Sequence, residues 1–143
     1  EGNGTDMKLT KSKLKEIIRE EIQKLNEDVV NAFAKDLEKK VINYYKTEYP
    51  NIYDNDKTGE NSWKVRIKKG KKYTKIDIGS SGKFMYDISD GHLYYIKGYG
   101  TIDRKKDFGD LKSILKRGYD YDGFSIASKG KRTGGYGYGG KIV

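Results

Sequence analysis

Lys64, Arg66, Lys68, Lys69, Lys71, Lys72 and Lys75 crowd one short stretch of the chain. Cations at this density offer one chemistry above all, neutralisation of a phosphate backbone with release of its condensed counterions. Trp63, Val65 and Ile67 alternate with Lys64, Arg66 and Lys68, so a strand here puts these three cations on the face opposite Trp63. A second basic run, Arg104-Lys105-Lys106, follows Gly98 and Gly100. A third set lies near the end, where Lys129, Lys131 and Arg132 precede Gly134-Gly135-Tyr136-Gly137-Tyr138-Gly139-Gly140. Tyrosines beside cations match in composition the segments that stack bases on aromatic rings. The candidate nucleic-acid-binding residues are therefore Lys64, Arg66, Lys68, Lys69, Lys71, Lys72, Arg104, Lys105, Lys106, Lys131, Arg132, Tyr136 and Tyr138. The plainer readings stand beside this one: a solvated strand face for the hairpin, and a disordered terminus or assembly arm for the tail.

Other constellations carry less. Asp54-Asn55-Asp56-Lys57-Thr58-Gly59 imitates the first half of a calcium loop, but the twelfth position, which needs a bidentate Glu, is Val65. A polar turn between helix and strand accounts for the same residues. His92 is the single histidine and Cys is absent, which removes every two-histidine metal motif, thiolate ligands, disulfides and cysteine nucleophiles. Asp87 and Asp90 lie near His92, yet Asp90-Gly91 reads as a hairpin turn. Ser80 and Ser81 lack a nucleophile-elbow pattern, and Gly98-Tyr99-Gly100 lacks the third glycine and following helix of a dinucleotide fingerprint. No spacing selects a pair of carboxylates for acid–base work. The expectation is a non-enzymatic protein without cofactor or metal.

The elements that must position these residues follow from periodicity. Leu14, Ile17, Ile18, Ile22 and Leu25 recur at spacings of three and four, predicting an amphipathic helix over 11–26 that Thr10 or Ser12 caps. Too short to be stable alone, it must dock on its own domain, on a copy of itself or on another protein. Asn26-Glu27-Asp28 offers a break and a fresh cap, after which Val30, Phe33, Ala34, Leu37, Val41, Ile42, Tyr44 and Tyr45 mark a second helix over 28–48. Tyr49-Pro50 ends it.

From Trp63 the period changes to two. Strands are expected at Trp63–Ile67, around Thr74, Ile76 and Ile78, at Phe84–Ile88 and from His92 to Ile96, joined by turns at Lys69-Gly70-Lys71 and Asp90-Gly91 and by a loop at Gly79–Gly82. Gly98 through Lys106 reads as an exposed loop. Asp110 caps a short helix bearing Leu111, Ile114 and Leu115, with Gly118 as its C-terminal stop, and Tyr119 to Ser125 is a last strand or extended segment. The fold class is α+β, with N-terminal helices on an antiparallel meander of four or five strands, then a short C-terminal helix and a Gly-rich tail. Phe33, Leu37 and Val41 should meet Trp63, Val65, Ile67, Ile76, Phe84, Tyr86 and Ile88 in one core.

At 143 residues the chain has the length of one domain. Hydrophobic residues make up 34% and charged residues 36%, but thirteen Tyr, four Phe and one Trp supply large apolar areas. Charge is uneven: residues 1–62 are net −2 and residues 63–143 net +11, a field that attracts polyanions. Neither a membrane span nor a signal peptide is visible, which places the chain in cytoplasm. Residues 1–6 read as an expression scar or disordered extension before Met7, followed by the amphipathic helix within 7–26, the α+β domain over 27–127 and the basic Gly/Tyr tail over 128–143.

The run Met7-Lys8-Leu9-Thr10-Lys11-Ser12-Lys13-Leu14-Lys15-Glu16-Ile17-Ile18-Arg19-Glu20-Glu21 resembles the opening of short proteins encoded by tailed phages of marine bacteria. Phe84-Met85-Tyr86-Asp87 through Asp90-Gly91, Tyr94 and Ile96 to Gly109 is similar to a strand-turn-strand pattern in small phage proteins. The resemblance implies a viral or environmental origin, hence host cytoplasm or virion, and carries no activity or site. Two roles follow as expectations: non-specific nucleic-acid binding through the basic sheet and tail, or a virion structural or assembly protein joined through helix 11–26. An enzyme is the third.

Overall fold

The computed structural model describes residues 10–129. Helix α1 (Lys11–Glu48) leads into a short helix α2 (Pro50–Asn55). Five strands follow, β1 (Val65–Lys69), β2 (Tyr73–Ile78), β3 (Ser81–Asp87), β4 (His92–Gly98) and β5 (Thr101–Asp110), paired antiparallel in chain order. Helix α3 (Leu111–Arg117) and a small ribbon of β6 (Tyr119–Tyr121) and β7 (Ile126–Ser128) complete an α+β fold.

Alternation puts Thr74, Ile76 and Ile78 of β2 opposite Lys69, Ile67 and Val65 of β1, and Phe84 and Tyr86 of β3 opposite Ile76 and Thr74. Onto that face α1 lays Val30, Phe33, Leu37 and Val41, all essentially inaccessible. Phe33 sits edge-on to Phe84 and against Tyr119, with ring centroids 6.4 and 5.4 Å away. Leu93, Phe108, Leu111, Ile114 and Ile126 close the same core, while Trp63, Val65, Ile67 and Ile88 pack at its margin. The expected helix–sheet contact is therefore present. Asp110 caps α3 through the Ser113 N–H at 3.1 Å, and Gly118 ends it at φ 84°, as the sequence indicates.

The expected break at Asn26-Glu27-Asp28 is absent, since α1 runs unbroken from Lys11 to Glu48. Cap preferences are worth about 1 kcal/mol and yield to packing. Here both side chains bridge to the sheet: Asn26 Oδ1 accepts from the Tyr86 hydroxyl at 3.0 Å, and Glu27 meets Lys69 at 3.0 Å. Thr10, by contrast, does cap the helix, accepting from the Lys13 N–H at 3.0 Å. The apolar stripe consequently continues along one helix. Its C-terminal half covers the sheet, while Leu14, Ile17, Ile18, Ile22 and Leu25 remain 37 to 55% exposed.

Four further departures concern loops and strand ends. Residues 101–110, of which the stretch through Lys106 reads from sequence as an exposed loop, form the longest strand. Register shifts along β4 at Leu93/Tyr94, Tyr94/Tyr95 and Ile96/Gly98 scramble the two-residue period that would have shown it. The Gly79–Gly82 loop shrinks to a two-residue turn, with Ser81 already paired to Ile78. Asp54 and Asn55 end α2 rather than standing in a turn, and β7 reaches Ser128.

Candidate nucleic-acid interface

The sheet face turned away from α1 gathers charge and aromatic rings together. Lys68 of β1 and Lys75 of β2 are direct cross-strand partners, a like-charge pairing that destabilises a sheet. What intervenes is Tyr99, from the β4–β5 turn. Its ring folds back over β3, where any Cβ on Gly82 would lie 2.6 Å from it. The Tyr99 hydroxyl donates to Asp77 Oδ2 at 3.2 Å, and the ammonium groups of Lys68 and Lys75 stand 5.5 and 4.6 Å from the ring centroid. Asp77 is 8% exposed and 4.0 Å from Lys68, whereas Tyr99 is 54% exposed. The hydrogen bond with Tyr99, then the charge of Asp77, hold the Lys68 pKa above its ordinary value. The solvent therefore meets an aromatic ring between two ammonium groups, with the carboxylate underneath.

A third cation on this side is committed elsewhere. Arg104 of β5 pairs with Asp87 at 2.8 Å, donates to the Tyr73 hydroxyl at 3.2 Å and covers the Tyr94 ring at 4.8 Å. Burial opposes the charge of Asp87, but hydrogen bonds from Ser89 and the Arg104 guanidinium outweigh it and hold this carboxyl below the usual range. Arg66 is similarly engaged, 3.1 Å from both a Glu60 carboxylate oxygen and the Gly79 carbonyl. Lys69 points to the helix side and pairs with Glu27.

Of the remaining candidates, Lys64, Lys71 and Lys72 are exposed around the β1–β2 hairpin, Lys105 is exposed on β5 and Lys106 is half-buried there. Lys131, Arg132, Tyr136 and Tyr138 lie outside the described residues. The fold thus brings Lys68 into a cluster with Lys75 and Tyr99, and ties Arg66, Lys69 and Arg104 into ion pairs. Tyr99, the centre of that cluster, was not among the candidates. The signal was present as an aromatic between two glycines, but its position over the lysines depends on the hairpin folding back.

Two other groups place chemically capable side chains together. His92 Nδ1 lies 2.9 Å from Asp107, and that hydrogen bond raises the histidine pKa against opposing burial. A His–Asp dyad is half of an acyl-transfer apparatus. The nearby hydroxyls of Ser89 and Tyr94, however, donate to Asp87 and Asp90 instead. Asp56, of the calcium-like run, turns inward to accept from the Asn61 N–H at 3.0 Å and the Ser62 hydroxyl at 2.8 Å, as a loop organiser does. Among the described residues no group of three or more metal-ligating side chains converges, and no helix is long and apolar enough to cross a membrane.

No protein-family model matches the chain, and neither a curated protein nor a solved structure matches it.

Proposed function

We propose that the chain is a non-catalytic binding protein that holds single-stranded nucleic acid, without sequence specificity, on the sheet face opposite α1. The observation that carries this reading is the Lys68–Tyr99–Lys75 cluster. Two like charges placed directly opposite each other weaken a sheet, and the exposed ring between them adds apolar surface to water. A strand of nucleic acid relieves both, its phosphates meeting the ammonium groups and a base stacking on Tyr99. Stacking requires an unpaired base, which favours single strands over duplex. Lys64, Lys71 and Lys72 extend the positive field along the same hairpin.

Fluorescence anisotropy with a labelled homopolymeric DNA single strand and with a duplex, each at low and moderate salt, tests this. Single-strand binding should be the tighter and should fall steeply with salt. Tyr99→Ala should weaken it by about 1 to 3 kcal/mol. Equal affinity for both forms with an unaffected Tyr99→Ala variant would remove Tyr99 from the interface. An absence of binding at low salt would remove the function.

A further inference from the structure

We infer that residues 11–28 of α1 form an antiparallel helix pair with a second copy of this chain. The inference is independent of nucleic-acid binding and rests on the uncovered half of the stripe. Leu14, Ile17, Ile18, Ile22 and Leu25 are 46, 37, 49, 53 and 55% exposed, in line with the Val29, Val30 and Phe33 side chains that the sheet covers. The overhang from Lys11 to Leu25 is about 22 Å long at the rise of an α-helix. A helix of that length with no tertiary cover is marginal in water, so its apolar side needs an occupant.

Charge selects a second copy and its direction. Lys11, Lys13 and Lys15 give the N-terminal end a purely basic character. From Glu16 to Asp28, Glu16, Glu20, Glu21, Glu27 and Asp28 outnumber Arg19 and Lys24. A parallel pair would set the basic ends of both helices side by side. An antiparallel pair sets each basic end against the acidic end and also opposes the helix dipoles. Glu27 is already held by Lys69 at 3.0 Å, so Asp28, which comes level with Ser12 of the second copy between its Lys11 and Lys13, supplies the remaining complement. With a two-fold axis near residue 20, Ile18 meets Ile22 of the partner subunit and the reverse, as an isologous contact requires. The far tip then ends beside a hollow lined by Val30, Ile67, Tyr86 and Ile88. Two short helices fall at the low end of interface size, under about 1,200 Å² in total, the class of weak and reversible contacts.

Sedimentation equilibrium of the full chain should show a monomer–dimer equilibrium at micromolar concentrations. Ile18→Glu with Ile22→Glu should abolish it while leaving the thermal melt of the domain in place, because both side chains are exposed. Since the chain has no cysteine, a spin label on Ser12→Cys reports direction. The antiparallel pair separates the two labels by roughly 24 Å along the axis, whereas a parallel pair brings them within roughly 10 to 15 Å. A strictly monomeric chain, a dimer indifferent to the double substitution, or the short label distance would each overturn the assignment.

Discussion

The Arg104 guanidinium stands 2.8 Å from the Asp87 carboxylate, which is 3% exposed, and covers the Tyr94 ring at 4.8 Å. A residue that sequence presents as a free phosphate contact is thus the counter-charge of a buried acid, bridging β5 to the end of β3. Arg104→Ala should lower the melting temperature well beyond Lys105→Ala beside it, since it strands the Asp87 charge. Arg104→Lys should restore only part of the loss, because an ammonium lacks the guanidinium's planar fork. Thermal melts of the three variants check this.

The two halves of the α1 stripe should respond oppositely to truncation. Phe33 is fully buried against Phe84 and Tyr119, so Phe33→Ala should cost about 3 to 5 kcal/mol. Leu14, 46% exposed on the overhang, should change domain stability by less than about 0.5 kcal/mol when replaced by Ala. Urea unfolding of both variants at low protein concentration, where the monomer prevails, measures the difference.

Gly59 turns the chain into β1 at φ +70°, and a Cβ there would enter the Trp63 ring. Gly59→Ala should therefore cost about 2 to 4 kcal/mol, combining left-handed strain with displacement of the indole. Gly98, with nothing within 4 Å of an added Cβ, serves as the control and should shift stability by about 0.5 kcal/mol or less. Tryptophan fluorescence reports both the unfolding and the environment of Trp63.

The His92–Asp107 pair ties β4 to β5, and its hydrogen bond lifts the histidine above its ordinary pKa of 6.5. Because the folded value exceeds the unfolded one, the pair's contribution is complete below about pH 6.5 and is lost as pH rises through the folded pKa. An NMR titration of this single histidine should show the upward shift. Asp107→Asn should move it back toward the ordinary value and shrink the fall in melting temperature between mildly acidic and alkaline buffer.

Periodicity and local chemistry settled much of the architecture before any tertiary contact. The stripe from Leu14 to Val41, the alternation from Val65 to Ile88 and the stop signals at Asp110 and Gly118 each depend on residues within a turn or a strand of one another. They specify the α+β class, the first four strands of the meander and the contact of Phe33, Leu37 and Val41 with Ile76, Phe84 and Tyr86. What tertiary structure decided lies in contacts between distant residues. Tyr86 and Lys69 engage Asn26 and Glu27 across the fold and keep α1 whole where local caps favoured a break. Register shifts hid β5, because a bulge breaks the period while its partner strand preserves the pairing. Sequence counted the cations but could not say which were free, since an ion pair is fixed by where the chain returns. Asp87 and Glu60 claim Arg104 and Arg66, while the fold-back of the β4–β5 turn delivers Tyr99 to Lys68 and Lys75.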